Sequence, residues 1–407
     1  MSDVGIPASA SRGSGRYDVL IVGAGPVGLT LAALLRSSAR SVLLVERRTD
    51  PFPGARAMHL DRLSVELLET VGVRWEGGVD LDELAGVSFD ARPYGELLIA
   101  LGELCPDELA PFAFHQPSLE RKLQRLLADS AVEQRTGCEV VGLQPQSDGM
   151  RVWLQSRSRV EQVSARFVVG CDGAEGPVRQ LAGIRSRAWG GAAHWHAGDH
   201  LLASRPTDRL VRHHLGRRPV TVVPGCGRHV RIEHLLWAAH GGRRWSPPCE
   251  LALAELLGTG VEETIATRCY RFETRLALRP ARSAGSAAVL LAGDAAHTVA
   301  PFLGQGLGLG LRDAAWLAVL LEPANASPID VTTAYRRARR GDVLATATQS
   351  RAAQLLVERG NDPRRLGRLF AALTKATQTR PGLVHRAALA HRRTPLRSPQ
   401  DSPSSQG

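Results

Sequence analysis

Gly23-x-Gly25-x-x-Gly28, the acid Glu46, and the two acid–glycine pairs Asp172-Gly173 and Gly293-Asp294 are the residues whose types and spacing could do chemistry. A further glycine cluster, Gly304-Gln305-Gly306, follows Pro301. None of these is a nucleophile or a metal ligand set. They are groups that bind a ligand with backbone. Gly23 permits a tight turn, Gly25 lets a pyrophosphate approach the chain, and Gly28 lets a helix pack close to a strand. Glu46 stands eighteen residues after Gly28, where a carboxylate can accept from a ribose hydroxyl. Arg47 and Arg48 come next, and arginine suits a 2′-phosphate.

The elements that must hold these residues can be read around them. The apolar run Asp18–Val22 ends at Gly23 and reads as a buried parallel strand. Residues 27 to 36 favour helix, and Val42–Val45 is a second strand closing at Glu46. This βαβ order makes the glycine pattern a dinucleotide site, with the helix N-terminus facing the phosphates. Arg166–Cys171 and Ala288–Ala292 are two more buried strands, each delivering its acid and glycine to a strand end, where open α/β sheets bind ligands. Leucines spaced along 56–72 predict a helix ending at Gly72, and 115–127 predicts another, capped by Ser118. Residues 87–89 and 96–100 read as paired strands, and 220–237 as a hairpin around Pro224-Gly225. Pro301–Gly310 reads as a glycine-rich loop leading into a helix that ends near Leu321, and 331–358 as an arginine-rich helix.

A chain of 407 residues suggests about two connected domains. Its net charge of +11 could suggest nucleic acid. However, every basic residue except Lys122 and Lys375 is arginine, scattered among Ala, Gly and Pro with no stripe interleaved with aromatics. That is a compositional bias, and nucleic-acid binding is not expected. No apolar run is long enough to cross a bilayer, so no membrane partner is expected. The six cysteines, at 105, 138, 171, 226, 249 and 269, show no C-x-x-C or metal spacing. With no apolar leader, they are expected to be reduced thiols in a cytoplasmic protein, and no metal is expected. His194, Trp195 and His196 form a cluster without ligand spacing, and His213, His214 and His234 are equally open.

The Gly23 turn, the Asp172-Gly173 strand end followed by Val178-Arg179, and Gly293-Asp294-Ala-Ala-His297…Pro301…Gly304-Gln305-Gly306 occur in this order. Together they resemble the FAD-dependent single-component aromatic hydroxylases of the p-hydroxybenzoate hydroxylase type, nearest their 3-(3-hydroxyphenyl)propionate hydroxylase branch. The resemblance spans about residues 16–360. It implies an α/β fold: a Rossmann-like FAD-binding domain (16–77, 114–184, 286–330), an inserted mostly β substrate domain (78–113, 185–285) and C-terminal helices (331–379). Residues 1–15 and 380–407 are expected to be disordered.

By position, the resemblance gives Gly23, Gly25, Gly28 and Glu46 to the ADP half of FAD, and Arg56 and Gln116 to the linking chain. Asp172 would serve FAD and the pyridine nucleotide, and Gly293 and Asp294 the ribityl chain. Gly304, Gln305 and Gly306 would lie against pyrophosphate and flavin, and Pro301 between flavin and substrate. Arg47 and Arg48 would help select NADPH, with NADH as the alternative. Gly176 stands where the family usually has Ser, and Gly308 where Asn is common. The implied reaction is NAD(P)H-driven hydroxylation of an aromatic or polyketide-like phenol by O2 through a flavin C4a-hydroperoxide. A cyclase that retains FAD without inserting oxygen is the rival. The residues name neither the catalytic base nor the oligomeric state.

Overall fold

The computed structural model describes residues 15–50, 57–90, 96–100, 112–157, 159–206, 209–215, 219–238, 257, 259–359 and 368. Arg56, the 1–14 segment and the tail beyond 380 lie outside them.

Two sheets carry the molecule. In the first, strands Ala281–Ala284, Ala287–Leu291, Val160–Gly170, Arg16–Val22, Val42–Glu46 and Glu133–Thr136 lie side by side in that order. All of these pairings are parallel except the antiparallel hairpin at Ala281–Ala284. The Arg16–Val22 strand sits between its neighbours and is covered on both faces, which is why Val19 to Ile21 are an unbroken apolar run, fully buried. Helix Pro26–Leu35 returns over the sheet, with Pro26 in its first turn, where proline's missing N–H costs nothing. This is the expected Rossmann-like unit.

The second sheet runs Val261–Phe272, Ala193–Leu202, His229–Ala238, Val220–Pro224, Leu210–His214, Gly86–Asp90 and Glu96–Ala100 in spatial order. It contains the expected hairpin after Pro224 and the expected 86–90/96–100 pair. The mostly β second unit and the C-terminal helix, Pro328–Arg359, complete the architecture read from the sequence.

Three local readings need correction. Residues 56–72 are not one helix: His59–Leu60 pairs with Phe112–Phe114, and the helix is Arg62–Thr70, whose cap Asp61 accepts from the Ser64 N–H at 2.7 Å. A cap side chain overrode the leucine spacing that continued behind it. Helix Gln116–Ala128 begins two residues before Ser118, with His115 at the N-cap position and making no side-chain cap bond, because Pro117 has the fixed φ a first turn needs. The supposed Gly304–Gly310 loop is the start of helix Gln305–Leu321. Gly304 alone, at φ 64°, makes the turn into it.

Candidate active site

The loops at the carboxyl ends of the parallel strands surround a cavity of about 350 Å³ that extends to the face of the second sheet. Gly23, Gly25, Glu46, Arg47, Gln116, Asp172, Gly293, Asp294, Pro301, Gly304 and Gly306 all line it. Gly28 works from behind. Gly23 turns at φ 102°, and a Cβ on Gly28 would lie 1.9 Å from the Gly23 carbonyl oxygen, so only glycine lets the helix seat on this turn. The N-terminus of that helix has no side-chain cap, leaving its N–H groups for an anion. Gln305 points elsewhere, donating to Gln349 of the C-terminal helix at 3.0 Å.

Glu46 is already oriented. The backbone N–H of Ala24 donates to its Oε2 at 2.8 Å and that of Arg48 to its Oε1 at 3.0 Å. The Arg48 guanidinium stands 3.4 Å from Oε1, so it belongs to the Glu46 site, whereas Arg47 is the exposed member of the pair. Gln116 accepts from Ala57 N at 2.8 Å and donates to Glu120 at 2.8 Å.

Asp172 accepts from the Val178 N–H through Oδ2 at 2.8 Å, while its buried Oδ1 has no hydrogen-bond partner among the described residues. Burial raises its carboxyl above the usual range, against the opposing pull of Val178, Arg179 and Arg47. A Cβ at position 176 would lie 2.0 Å from the Asp172 carboxyl carbon, so glycine there permits this rotamer. An orphaned buried acceptor, an uncapped helix start and a turn closed to any side chain are what a phosphate- and ribose-bearing ligand would complete. The residues present fit FAD.

Behind Gly293-Asp294 lies a set of charges the sequence reading missed. Asp313 accepts from the Gly293 N–H at 2.9 Å, His297 at 2.6 Å and Arg339 at 2.6 Å. Arg339 continues to Asp342, Asp342 to Arg312 at 2.9 Å, and Arg312 to the helix cap Asp61 at 2.9 Å. Burial works against the Asp313 charge, yet His297 and Arg339 hold its carboxyl well below the usual range. The partners lie up to 251 residues apart in sequence, so no local signal reveals them.

On the opposite wall the second sheet meets the Pro301–Gly304 turn. Phe302 packs against Trp195 at 5.2 Å, His213 at 5.6 Å and Phe272 at 5.8 Å between ring centroids. His213 donates from Nε2 to the Phe302 carbonyl at 2.8 Å, so its Nδ1 accepts from the Thr221 hydroxyl at 2.8 Å. Burial lowers its pKa to about 3, which keeps it neutral and in that tautomer. His213 therefore fixes the turn that carries Pro301. In the 194–196 cluster, Trp195 enters the core while His196 meets His234 at 3.0 Å.

Residues 16–347 match the FAD binding domain family. The chain is 31% identical over 349 residues to the probable NADH-specific resorcinol 4-hydroxylase of Rhodococcus jostii, covering 79% of this chain and 61% of that protein's length. Among solved structures, the anhydrotetracycline hydroxylase of Streptomyces rimosus superposes with a TM-score of 0.68 at 25% identity, over 89% of this chain and 75% of the other. The same fold occurs in a Diels-Alderase of pyrroindomycin biosynthesis, with a TM-score of 0.67 at 24% identity over 91% of this chain and 79% of the other. The resemblance to aromatic hydroxylases is borne out, and because the match runs through the parallel sheet, the cavity and the substrate-side strands alike, the chain belongs to the FAD binding domain family.

Proposed function

We propose that the protein is an FAD-dependent, NAD(P)H-driven monooxygenase that hydroxylates an aromatic or polyketide-like phenol. One observation carries the reading. A single cavity joins the dinucleotide turn to a sheet face backed by Phe302, Trp195 and His213, so an aromatic ring can lie beside the reactive end of a flavin. Bound FAD, reduced by the nucleotide, supplies an electrophilic oxygen from O2. The chain's own residues do the rest. Gly23, Gly25 and the helix N-terminus receive the pyrophosphate, Glu46 the adenosine ribose, and Asp294 the ribityl chain. Gly306 presents its backbone N–H where the long helix begins, Gly304, whose own N–H donates to the Pro301 carbonyl at 2.8 Å, makes the turn into that helix, and Pro301 is assigned to the space between flavin and substrate. Enclosure by the second sheet keeps water from the reacting atoms. Arg56 and Gln116 are assigned to the linking chain, Gln116 after exchanging its present bonds.

Arg47 is assigned to a 2′-phosphate, which is supported by Arg48 being engaged with Glu46. The resorcinol hydroxylase relative is named as NADH-specific, so both nucleotides belong in any assay.

The experiment is occupancy. The purified protein should be yellow and release FAD, not FMN, on denaturation. Glu46→Arg replaces the ribose acceptor with a cation already crowded by Arg47 and Arg48, and should cost about 2 kcal/mol or more of FAD affinity, roughly thirtyfold. Full occupancy of that variant at limiting FAD, measured by the flavin-to-protein absorbance ratio, would remove Glu46 from the site.

A further inference from the structure

The substrate-side wall holds a buried acid, and strand register explains its setting. Across one row of the sheet Phe89 pairs with His213, His213 with Thr221, Thr221 with Glu233, Glu233 with Ala197, and Ala197 with Arg268. In the adjoining row Val223 pairs with Arg231, and Arg231 with Asp199. Residues two apart on a strand share a face, so these rows present their side chains together. His213, Thr221, Arg231 and Glu233 all line the cavity.

Arg231 is spoken for. Its Nε and one terminal nitrogen donate to the two oxygens of Asp199 at 2.8 and 2.9 Å. Hydrogen bonds from His229 and Arg231 overcome burial and hold Asp199 well below the usual carboxyl range, so that pair is locked as an ion pair. Glu233 differs. Ala197, its neighbour in register, is only a methyl wide, which lets Tyr270 reach across and donate to Glu233 Oε2 at 2.9 Å. Glu233 is 8% exposed, and no hydrogen bond to its Oε1 occurs among the described residues. Nearby, His59 sits under the Gly304 turn (a Cβ there would come within 2.5 Å of its Nδ1), and its buried Nε2 has no hydrogen-bond partner among the described residues. Both groups line the cavity, and both leave a hydrogen-bonding position for a ligand.

The geometry points to Glu233 as the base that takes the proton of the substrate's hydroxyl, with Tyr270 as its positioning residue and His59 Nε2 as a second polar contact for the ring's substituents. The O–H bond breaks, its electron pair stays on the substrate oxygen, and the proton is held as the Glu233 carboxylic acid until product forms. The resulting phenolate is richer in electrons at its ortho and para carbons, which is what attack on an electrophilic oxygen requires. This assignment rests on the monooxygenase reading above.

Charge around the site is consistent with the role. Burial raises the Glu233 carboxyl, opposed by Arg231, the Tyr270 hydroxyl and Arg268, with Asp199 adding to the rise. Burial and Glu233 push Tyr270 well up, so it remains a donor. Burial lowers His59 to about 4 and His213 to about 3, which leaves both neutral at working pH. Activity should therefore rise with pH through the Glu233 value, on an acid limb above the ordinary glutamate range.

The test uses the FAD-loaded protein and phenols whose hydroxyl pKa values span about 7 to 10, including 4-nitrophenol, whose absorbance reports its ionisation. Glu233→Gln should lower substrate-stimulated nucleotide oxidation on the order of 10²-fold for the least acidic phenols, and far less for nitrophenol already ionised. The acid limb should vanish. Tyr270→Phe removes a donor to the carboxylate, so its limb should move to higher pH without disappearing. A merely structural glutamate would depress all phenols alike, and that outcome overturns the assignment, as does an unchanged acid limb in Glu233→Gln. If phenols bind and turn over with the same acidity dependence in parent and variant, the assignment fails alone. If no phenol binds the loaded protein by absorbance titration, it fails together with the aromatic-substrate reading.

Discussion

Replacing Asp313 with alanine should lower stability by about 3–5 kcal/mol and empty the flavin site, because it strips three donors of one buried acceptor. The variant leaves the buried Arg339 guanidinium with Asp342 and the Leu309 carbonyl but without its second carboxylate, and leaves the Gly293 N–H without its partner at the turn that presents Asp294. Urea unfolding would report the first effect and the flavin-to-protein ratio the second. A loss under about 1 kcal/mol would mean the charge set is not what holds the turn. The pH dependence has a definite sign. The folded-state carboxyl is depressed, so its contribution is complete above the unfolded value of about 4 and is lost as pH falls below it. Asp313→Asn should lack that part of the acid sensitivity.

The second large effect separates two glycines of one motif. A Cβ on Gly28 would strike the Gly23 carbonyl at 1.9 Å, backbone that cannot yield without moving the first turn. Gly28→Ala should therefore cost at least about 2 kcal/mol of stability and abolish flavin binding. A Cβ on Gly25 would meet no described residue within 4 Å apart from its chain neighbours, so Gly25→Ala should fold as the parent does and lose only flavin affinity, by crowding the pyrophosphate. Thermal melts and FAD titrations of the two variants distinguish fold from ligand. Equal melting temperatures for both would contradict the seat assigned to Gly28.

Legibility in the sequence followed the range of the interaction. The Gly23–Glu46 unit and the Pro224-Gly225 hairpin are written in neighbouring residues and were readable as such. The helix start at Arg62 turned on a single cap, Asp61, inside a stretch whose leucine spacing gave no break. Glycines at 304–310 suggested a loop, yet helix packing wins after Gly304, since Gly308 and Gly310 are buried against neighbouring elements. The Asp313 charge set and the Glu233–Tyr270 pair depend on tertiary contacts between distant segments. For Glu233 there was one usable signal: Arg231-Ile-Glu233 alternates charge with an apolar residue inside an otherwise half-buried strand, which is an unusual place for two ions.

Turnover under isotopically labelled O2 tests the central claim most directly. With its own phenolic substrate, the parent protein loaded with FAD and supplied with NADPH or NADH should place one labelled oxygen atom in the product. Product formed should approach the nucleotide oxidised, any shortfall appearing as peroxide from a site not fully closed to water. Omitting the nucleotide should stop conversion. Conversion that continues under nitrogen without nucleotide, and gives a product free of label, would contradict the monooxygenase account and favour a cyclisation on the same flavin scaffold.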